Sequence, residues 1–403
     1  MERAYVAVFS AALYLFIVRA LRYRRVDAIM RKYGMLKRDD FSKLTADQAQ
    51  EILQELVEME FPQLFGFSVV FALFKTYAVP SVSSLLVTTG ELSRPETASK
   101  RIADTGVLIL EFCLNRPSSE RSMQAIVRMN YIHSRYIKAG KISNDDLLYT
   151  LSLFALEPTR WINDHEWRRL SDLEMCAAGT FWKAIGDQMA IDFSTLPSYK
   201  TGWMDGLQWL DEVRTWSDEY EGTHVRSAPT NRKLALAHLD VIFLNIPKRW
   251  HYIMHWLVSA LLGERMRQAM MLPQPPRLFV AALEWIFTIR KLMLRHLMLP
   301  RPEFMREQHI SASSETNGRY SSHIYLTHPW YVKPTFMRRW GLAALFTRMI
   351  GRKLPGDDGN KYNPEGYSIS EIGPFVTNKS VGTDLAEMRD ISPGGCLFSR
   401  ITM

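Results

Sequence analysis

Apolar residues in this chain recur at helical spacing in one stretch after another, and nowhere does a two-residue alternation last long enough to build a real sheet. The fold class this dictates is nearly all α. Thr45-Ala46-Asp47-Gln48 opens a helix in the manner of a capping box, and Ile52, Leu53, Leu56 and Met59 then line one face. Phe61 to Phe74 is apolar apart from Pro62, Gln63 and Ser68; it is too short and too interrupted to cross a bilayer and reads as a core helix. Further helices are expected over about 94–115 and 119–139, from Asn144 to Leu156 with an end at Pro158, over 164–190, and from Trp203 to Trp216. Residues 234–270 and 278–298 are the most apolar helices of the second half, parted by Pro273, Pro275 and Pro276. Their Trp250, Trp256, Trp285, Arg290, Lys291 and Arg295 suit either a bilayer surface or the core. From about Leu354 the chain turns rich in Gly, Pro, Asp and Ser, which predicts loops and a weakly ordered tail.

Residues Tyr5 to Val18 form an uncharged apolar run, extending to about Leu21 if Arg19 snorkels. It is short for a hydrocarbon core of roughly 30 Å, and Met1–Arg3 and Arg22 extend it at the interfaces. A cleaved signal peptide calls for small residues after the run; Arg19, Arg22, Arg24 and Arg25 stand there instead and form a positive flank. The reading is a single-pass anchor with its amino terminus in the lumen and residues from about 25 onward in the cytosol. The rival is an amphipathic helix lying on the membrane surface. The net charge of +8 suits an anionic cytosolic leaflet, whereas the basic residues form no dense stripe and accompany no nucleic-acid motif. Cys113, Cys176 and Cys396 are scattered, as in a reducing compartment. With no long linker and no internal repeat, the expected organisation is an anchor over 1–24, one large helical domain over 25–354 and a loop-rich tail over 355–403.

One titratable side chain stands out. Read as a helix, the stretch around Val127 to Tyr136 carries Met123, Ile126, Met129 or Asn130, His133 and Ile137 on one face, with Arg128, Arg135 and Lys138 falling away from it. An imidazole aimed into an apolar interior needs a partner, since an unpaired buried polar group costs about 1–3 kcal/mol. An iron ion is one such partner and a backbone carbonyl is another. The helix before it opens at Ser93-Arg94-Pro95-Glu96, read as a capping box with an early proline. There Arg101, Asp104 and Thr105 share a face that Leu108 and Phe112 continue. The trio is either a surface ion pair with a neighbouring hydroxyl or a polar patch above a metal or cofactor.

Other metal chemistries lack their residues. There is no Cys-x-x-Cys-His for covalent haem, and no cysteine in a thiolate haem loop. His251 and His255 stand one turn apart without a glutamate base or an obvious third zinc ligand. Glu221-Gly222-Thr223-His224 is a single copy of a motif that a di-iron bundle needs twice, and its glycine suggests a loop. No glycine-rich phosphate cradle and no Gly-x-Ser-x-Gly elbow occurs.

Arg101-x-x-x-Thr105 followed by a helix histidine resembles the rubber oxygenase (latex clearing protein) family of haem b oxygenases. More of the chain resembles the fungal branch of that family, the ER-bound oxygenases of mycophenolic acid biosynthesis. The supporting stretches are Asn144 to Leu151, Glu157-Pro158-Thr159-Arg160-Trp161, Glu166 to Leu170, Leu262 to Arg267 and Asn363-Pro364-Glu365-Gly366-Tyr367. The resemblance covers most of residues 40–370. It implies a globin-like helical haem domain with added helices, holding a non-covalent haem b through His133 as the iron ligand. It implies that Arg101 and Thr105 stand at the haem, binding it or acting in catalysis. The rubber enzymes carry a lysine before the threonine that caps the iron in a closed state; here Asp104 holds that position, so no lysine-closed form is expected, and Asp104 is a candidate to deliver a proton or hold a water near bound dioxygen. Their upstream glutamate has no alignable counterpart; Glu91, in a predicted loop, is the nearest acid. The implied activity is dioxygen-dependent cleavage of a C=C bond in the farnesyl-type side chain of a meroterpenoid precursor, giving an aldehyde that goes on to an acid, at the ER membrane. The alternative is a non-catalytic, membrane-tethered protein that carries haem or a prenyl lipid.

Overall fold

Three reciprocal caps set the frame of the fold. Thr45 and Gln48 close the start of one helix, Ser143 and Asp146 a second, and Ser171 and Glu174 a third, each pair satisfying two orphan backbone N–H groups. A computed structural model describes residues 1–35, 37–314 and 318–374. Its helices are α1 (Glu2–Arg22), α2 (Arg24–Tyr33), α3 (Ala46–Glu55), α4 (Pro62–Thr76), α5 (Pro80–Thr89), α6 (Pro95–Leu114), α7 (Glu120–Lys138), α8 (Asn144–His165), α9 (Asp172–Gln188), α10 (Gly206–His224), α11 (Pro229–Ile242), α12 (His251–Leu262), α13 (Glu264–Ala269), α14 (Arg277–His296), α15 (Phe336–Trp340) and α16 (Leu342–Met349). Among the described residues the extended pairing amounts to two isolated bridges, Ile310 with Ser322 and Tyr320 with Tyr367. The chain is helical, as its periodicity dictates.

Helices α3, α8, α9 and α10 enclose the larger core, built on Ile52, Leu56, Tyr149, Trp182 and Trp209, and the inner faces of α6 and α7 close it with Leu108, Phe112 and Ile126. A second core lies across α4, where Phe71 and Phe74 meet Trp161 of α8, Leu239 and Phe243 of α11 and Met266 of α13. The apolar stretch after Phe61 therefore serves both cores as α4. Gly179 and Gly206 let α9 and α10 touch: a Cβ at Gly179 would stand 1.8 Å from the Gly206 carbonyl oxygen.

Several boundaries differ from the sequence expectation. Helix α8 does not stop at Pro158 but runs through it to His165. The proline forfeits one backbone bond, yet its ring is buried and Glu157 beside it is held by Lys75 and Trp161, so packing outweighs the loss. The stretch 164–190 becomes helical only at Asp172, where Ser171 supplies the cap. Residues 234–270 are three helices, broken at Pro247 and at Gly263, whose φ is +76°. Arg94, not Ser93, caps α6, without a side-chain bond, and Pro95 sets the first turn. Glu221 to His224 is the last turn of α10 rather than a loop. Arg128 does not fall away to solvent; it is buried, and its Nε donates to the Ile372 carbonyl at 2.7 Å.

The weakly ordered tail expected from 355 is packed as far as 374. Tyr362, Tyr367, Ile369 and Ile372 are buried, and Tyr320 and Tyr367 exchange backbone bonds of 2.8 Å. The turn needs glycine at 366, where φ is +97° and a Cβ would lie 2.2 Å from the Tyr320 carbonyl oxygen. Residues 375–403, Cys396 among them, lie outside the described residues. At the other end α1 is exposed along nearly its whole length, with Val18 and Arg22 its buried residues. With α2 it forms a helix long and apolar enough to cross a membrane.

Candidate functional site

Helices α6 and α7 form an antiparallel hairpin around Pro117, and this geometry brings Arg101 opposite His133. Helix α6 ends at Asn115, whose side chain donates to the Glu111 carbonyl at 2.7 Å, and Ser119 caps α7 by accepting from the Ser122 N–H. Burial first, and the Arg101 guanidinium second, hold the His133 imidazole at a pKa of about 4, so the ring is neutral at physiological pH. The ring is half-buried and, among the described residues, makes no hydrogen bond. That sets it apart from His251, whose Nε2 pairs with the Ile246 carbonyl at 2.8 Å, and from His328, whose Nδ1 pairs with Ser99 at 2.7 Å. A neutral imidazole with no hydrogen-bond partner among the described residues keeps a ring nitrogen available as a donor.

Arg101 and Thr105 are joined to each other. Arg101 Nη1 donates to Thr105 Oγ1, and Thr105 Oγ1 donates to the Arg101 carbonyl at 2.8 Å. The hydroxyl hydrogen is thus committed to the backbone, and the oxygen steadies the guanidinium. Beside Thr105 the flank of α6 borders open space: Gly106 is half-buried, yet a Cβ there would meet no atom within 4 Å. His133, Arg101 and Thr105 together offer a neutral nitrogen donor and a fixed cation, the residue types that would hold a haem and one of its carboxylates. Cys113, also on α6, has its thiol pushed up by burial and stays protonated, so it offers no thiolate.

Asp104 is placed differently from its two neighbours. It is 1 % exposed and accepts from Lys100 Nζ at 2.6 Å, Tyr331 Oη at 2.7 Å and Gly373 N at 3.2 Å. Three donors hold the carboxylate, and two of them tie α6 to the C-terminal segment. One helical turn pair farther on, Glu111 repeats the device with Tyr367 and Arg121. Glu91 does not join the trio; it lines an open cavity of about 400 Å³ at the end of α7 with Arg135, Tyr136 and Lys141.

A second buried histidine had no motif to mark it. His238 of α11 lies 3.3 Å from the Tyr77 hydroxyl through Nδ1, its Nε2 has no partner, and burial lowers its pKa to about 4. Burial also pushes the Tyr77 phenol up, against the pull of Arg101, so that guanidinium is near both Tyr77 and His133. The only sequence signal was a histidine within the apolar run Leu234 to Leu239. His251 and His255 both lie against Phe243, and among the described residues no three His, Cys, Asp or Glu side chains converge as a metal site.

No family profile matches this chain. It is 39% identical over 389 residues to the ER-bound oxygenase mpaB' of Penicillium brevicompactum, covering 96% of this chain and 92% of that protein. It is 39% identical over 360 residues to the ER-bound oxygenase mpaB of the same species, covering 89% and 86%. The ER-bound oxygenase mpaB of Penicillium roqueforti (strain FM164) is 43% identical over 258 residues, covering 64% of this chain and 87% of the relative.

Proposed function

This chain belongs to the family of ER-bound oxygenases, and from that we propose that it is a membrane-anchored, haem b-dependent oxygenase that cleaves a C=C bond in the prenyl side chain of an aromatic precursor. The observation that carries the cofactor is His133: a half-buried, neutral imidazole beside Arg101 that makes no hydrogen bond among the described residues. His133 would bind iron through a ring nitrogen, and the haem would supply the metal that activates dioxygen. Arg101 and Thr105 act as one unit. The threonine oxygen holds the guanidinium beside His133, where its charge favours a haem carboxylate or developing negative charge on oxygen.

Burial, with the same charge adding to it, keeps His133 unprotonated and available as a ligand. We assign Asp104 a positioning role, since its oxygens are taken up by Lys100, Tyr331 and Gly373. Membership of an ER-bound family and the exposed apolar helix α1 support a single-pass anchor with the helical domain on the cytosolic side, the arginine flank facing inward. A farnesyl chain partitions into lipid, so tethering concentrates enzyme and substrate in the same phase. The test is turnover. Membranes holding the full chain, given a farnesylated phenol and ¹⁸O₂, are expected to release a shortened aldehyde carrying label. Bound haem with no oxygen-dependent product would leave a carrier in place of an enzyme.

A further inference from the structure

We infer that α14 lies in the membrane surface beside the anchor, with its outward apolar face bedded in lipid; this rests on α1 being the membrane span. Helix α14 has two apolar faces. The inner one docks on the C-terminal end of α8: Phe287 stacks 4.4 Å from His165, Arg290 Nη2 donates to Glu166 at 2.8 Å and Lys291 Nζ donates to the Asp164 carbonyl at 2.9 Å. The outer one carries Leu278, Trp285, Ile286, Ile289, Leu292 and Met293, which recur at one-sided helical spacing and are between 47% and 86% exposed. Scattered exposed apolar residues need no explanation, but a one-sided stripe over about four turns of one helix does.

The neighbour of α14 says what covers that stripe. Tyr14 of α1 donates from its hydroxyl to the Leu297 carbonyl at 2.8 Å, and the Arg22 guanidinium donates to the carbonyls of Leu294 and Met298. The C-terminal end of α14, with the exposed Leu297, Met298 and Leu299 that follow it, therefore runs along the last third of the anchor. Tyr14 lies eight residues before Arg22, about 12 Å up the helix axis. With Arg22 at the interface and its guanidinium on the Leu294 and Met298 carbonyls, the end of α14 lies at the interface, and the Tyr14 hydroxyl reaches down to it from the acyl side. The exposed apolar residues of α14 and the bare surface of α1 adjoin at this contact, so a lipid layer around α1 is within reach of both. The charges agree with an in-plane helix: Arg277 stands at its start, Arg295 and His296 at its end, and Glu284 is its one acidic residue. One span and one surface helix together fix the orientation of the domain on the membrane, which a flexible tether alone does not.

The test uses the full chain in vesicles of phosphatidylcholine and phosphatidylserine. Ile289→Cys, Phe9→Cys and Glu219→Cys variants each carry an environment-sensitive nitrobenzoxadiazole label, and the signal of identically treated wild type is subtracted. Phe9 reports on α1, Ile289 on α14, and Glu219 on an exposed position of α10. The expected result is blue-shifted emission, quenched by about half or more with doxyl-labelled lipid, at Phe9 and Ile289 and neither effect at Glu219. Quenching at Phe9 without quenching at Ile289 overturns the inference and leaves the anchor standing. No quenching at either position overturns both. A blue shift at Ile289 that doxyl lipid does not quench means that protein, a second copy or another partner, covers this face, and that also overturns the inference.

Discussion

The histidines of this chain divide by what meets their ring nitrogens. His251, His328 and His238 each have a protein partner, at 2.8, 2.7 and 3.3 Å, whereas His133 has none among the described residues; His255 and His309 also carry an unpartnered Nδ1, and what separates His133 from them is the Arg101 guanidinium beside it. Residues Arg101 and Thr105 belong with His133, while Asp104 belongs with the C-terminal segment, and the two groups should respond differently to truncation. Arg101→Ala and Thr105→Ala are expected to lower haem content or turnover at least tenfold, a loss of about 1.4 kcal/mol, with little change in unfolding temperature. Asp104→Ala is expected to destabilise the fold by about 3–5 kcal/mol by breaking a buried pair, while the folded fraction keeps its haem. Haem titration beside thermal unfolding separates these outcomes; an Asp104→Ala variant that is stable but inactive would place that carboxylate in the chemistry after all. His238 adds a pH signature. Its pKa of about 4 lies below the ordinary 6.5, so the unfolded chain binds the proton more tightly. The stability this group permits is intact above pH 6.5 and is lost as the pH falls from 6.5 to 4, by up to about 3 kcal/mol. Unfolding free energies measured across that window should fall less steeply for His238→Phe than for wild type; parallel curves would show that the ring is not neutral and buried.

Among the elements, helices were legible mainly where a cap or a break is local. Thr45 is read directly from short-range hydrogen-bonding chemistry, and α6, α7 and α14 fall within a residue or two of their expected spans, whereas the Ser171 cap went unread. What escaped depends on tertiary packing. Pro158 continues a helix because its neighbours are buried and paired, and Glu221 to His224 stays helical because Tyr220 stacks on His224 at 4.1 Å. The quoted fragments around Glu157, Arg168 and Tyr367 mark the family while building the fold rather than the site: Glu157 binds Lys75, Arg168 bridges Glu60 and Glu174, and Tyr367 seats on Glu111. Close helix contacts were also invisible. Gly179 carries no motif, yet its missing Cβ is what lets α9 meet α10. Gly179→Ala should cost about 1–3 kcal/mol or more through overpacking. A denaturant midpoint unchanged from wild type would mean that the two helices part without penalty.

Across the whole molecule, the α6–α7 hairpin is clamped from two sides. The helical core packs against one side, and residues 320–373 are bolted to the other through Asp104–Tyr331, Glu111–Tyr367 and Arg128–Ile372. Composition alone hid this second clamp, since a segment rich in Gly, Pro and Asp reads as a tail until its tyrosines are seen to be buried. The clamp holds His133 and Arg101 in register without a direct bond between them, an arrangement compatible with the planar group proposed above. The account stands on His133 as the axial ligand of that group. The most direct measurement is the absorption spectrum of the full chain purified in lipid nanodiscs, recorded for wild type, His133→Ala and His251→Ala. The expected result is a Soret band in wild type and His251→Ala that is lost or strongly weakened in His133→Ala. A wild-type chain without haem absorption, or a His133→Ala chain with an unchanged band, would contradict it.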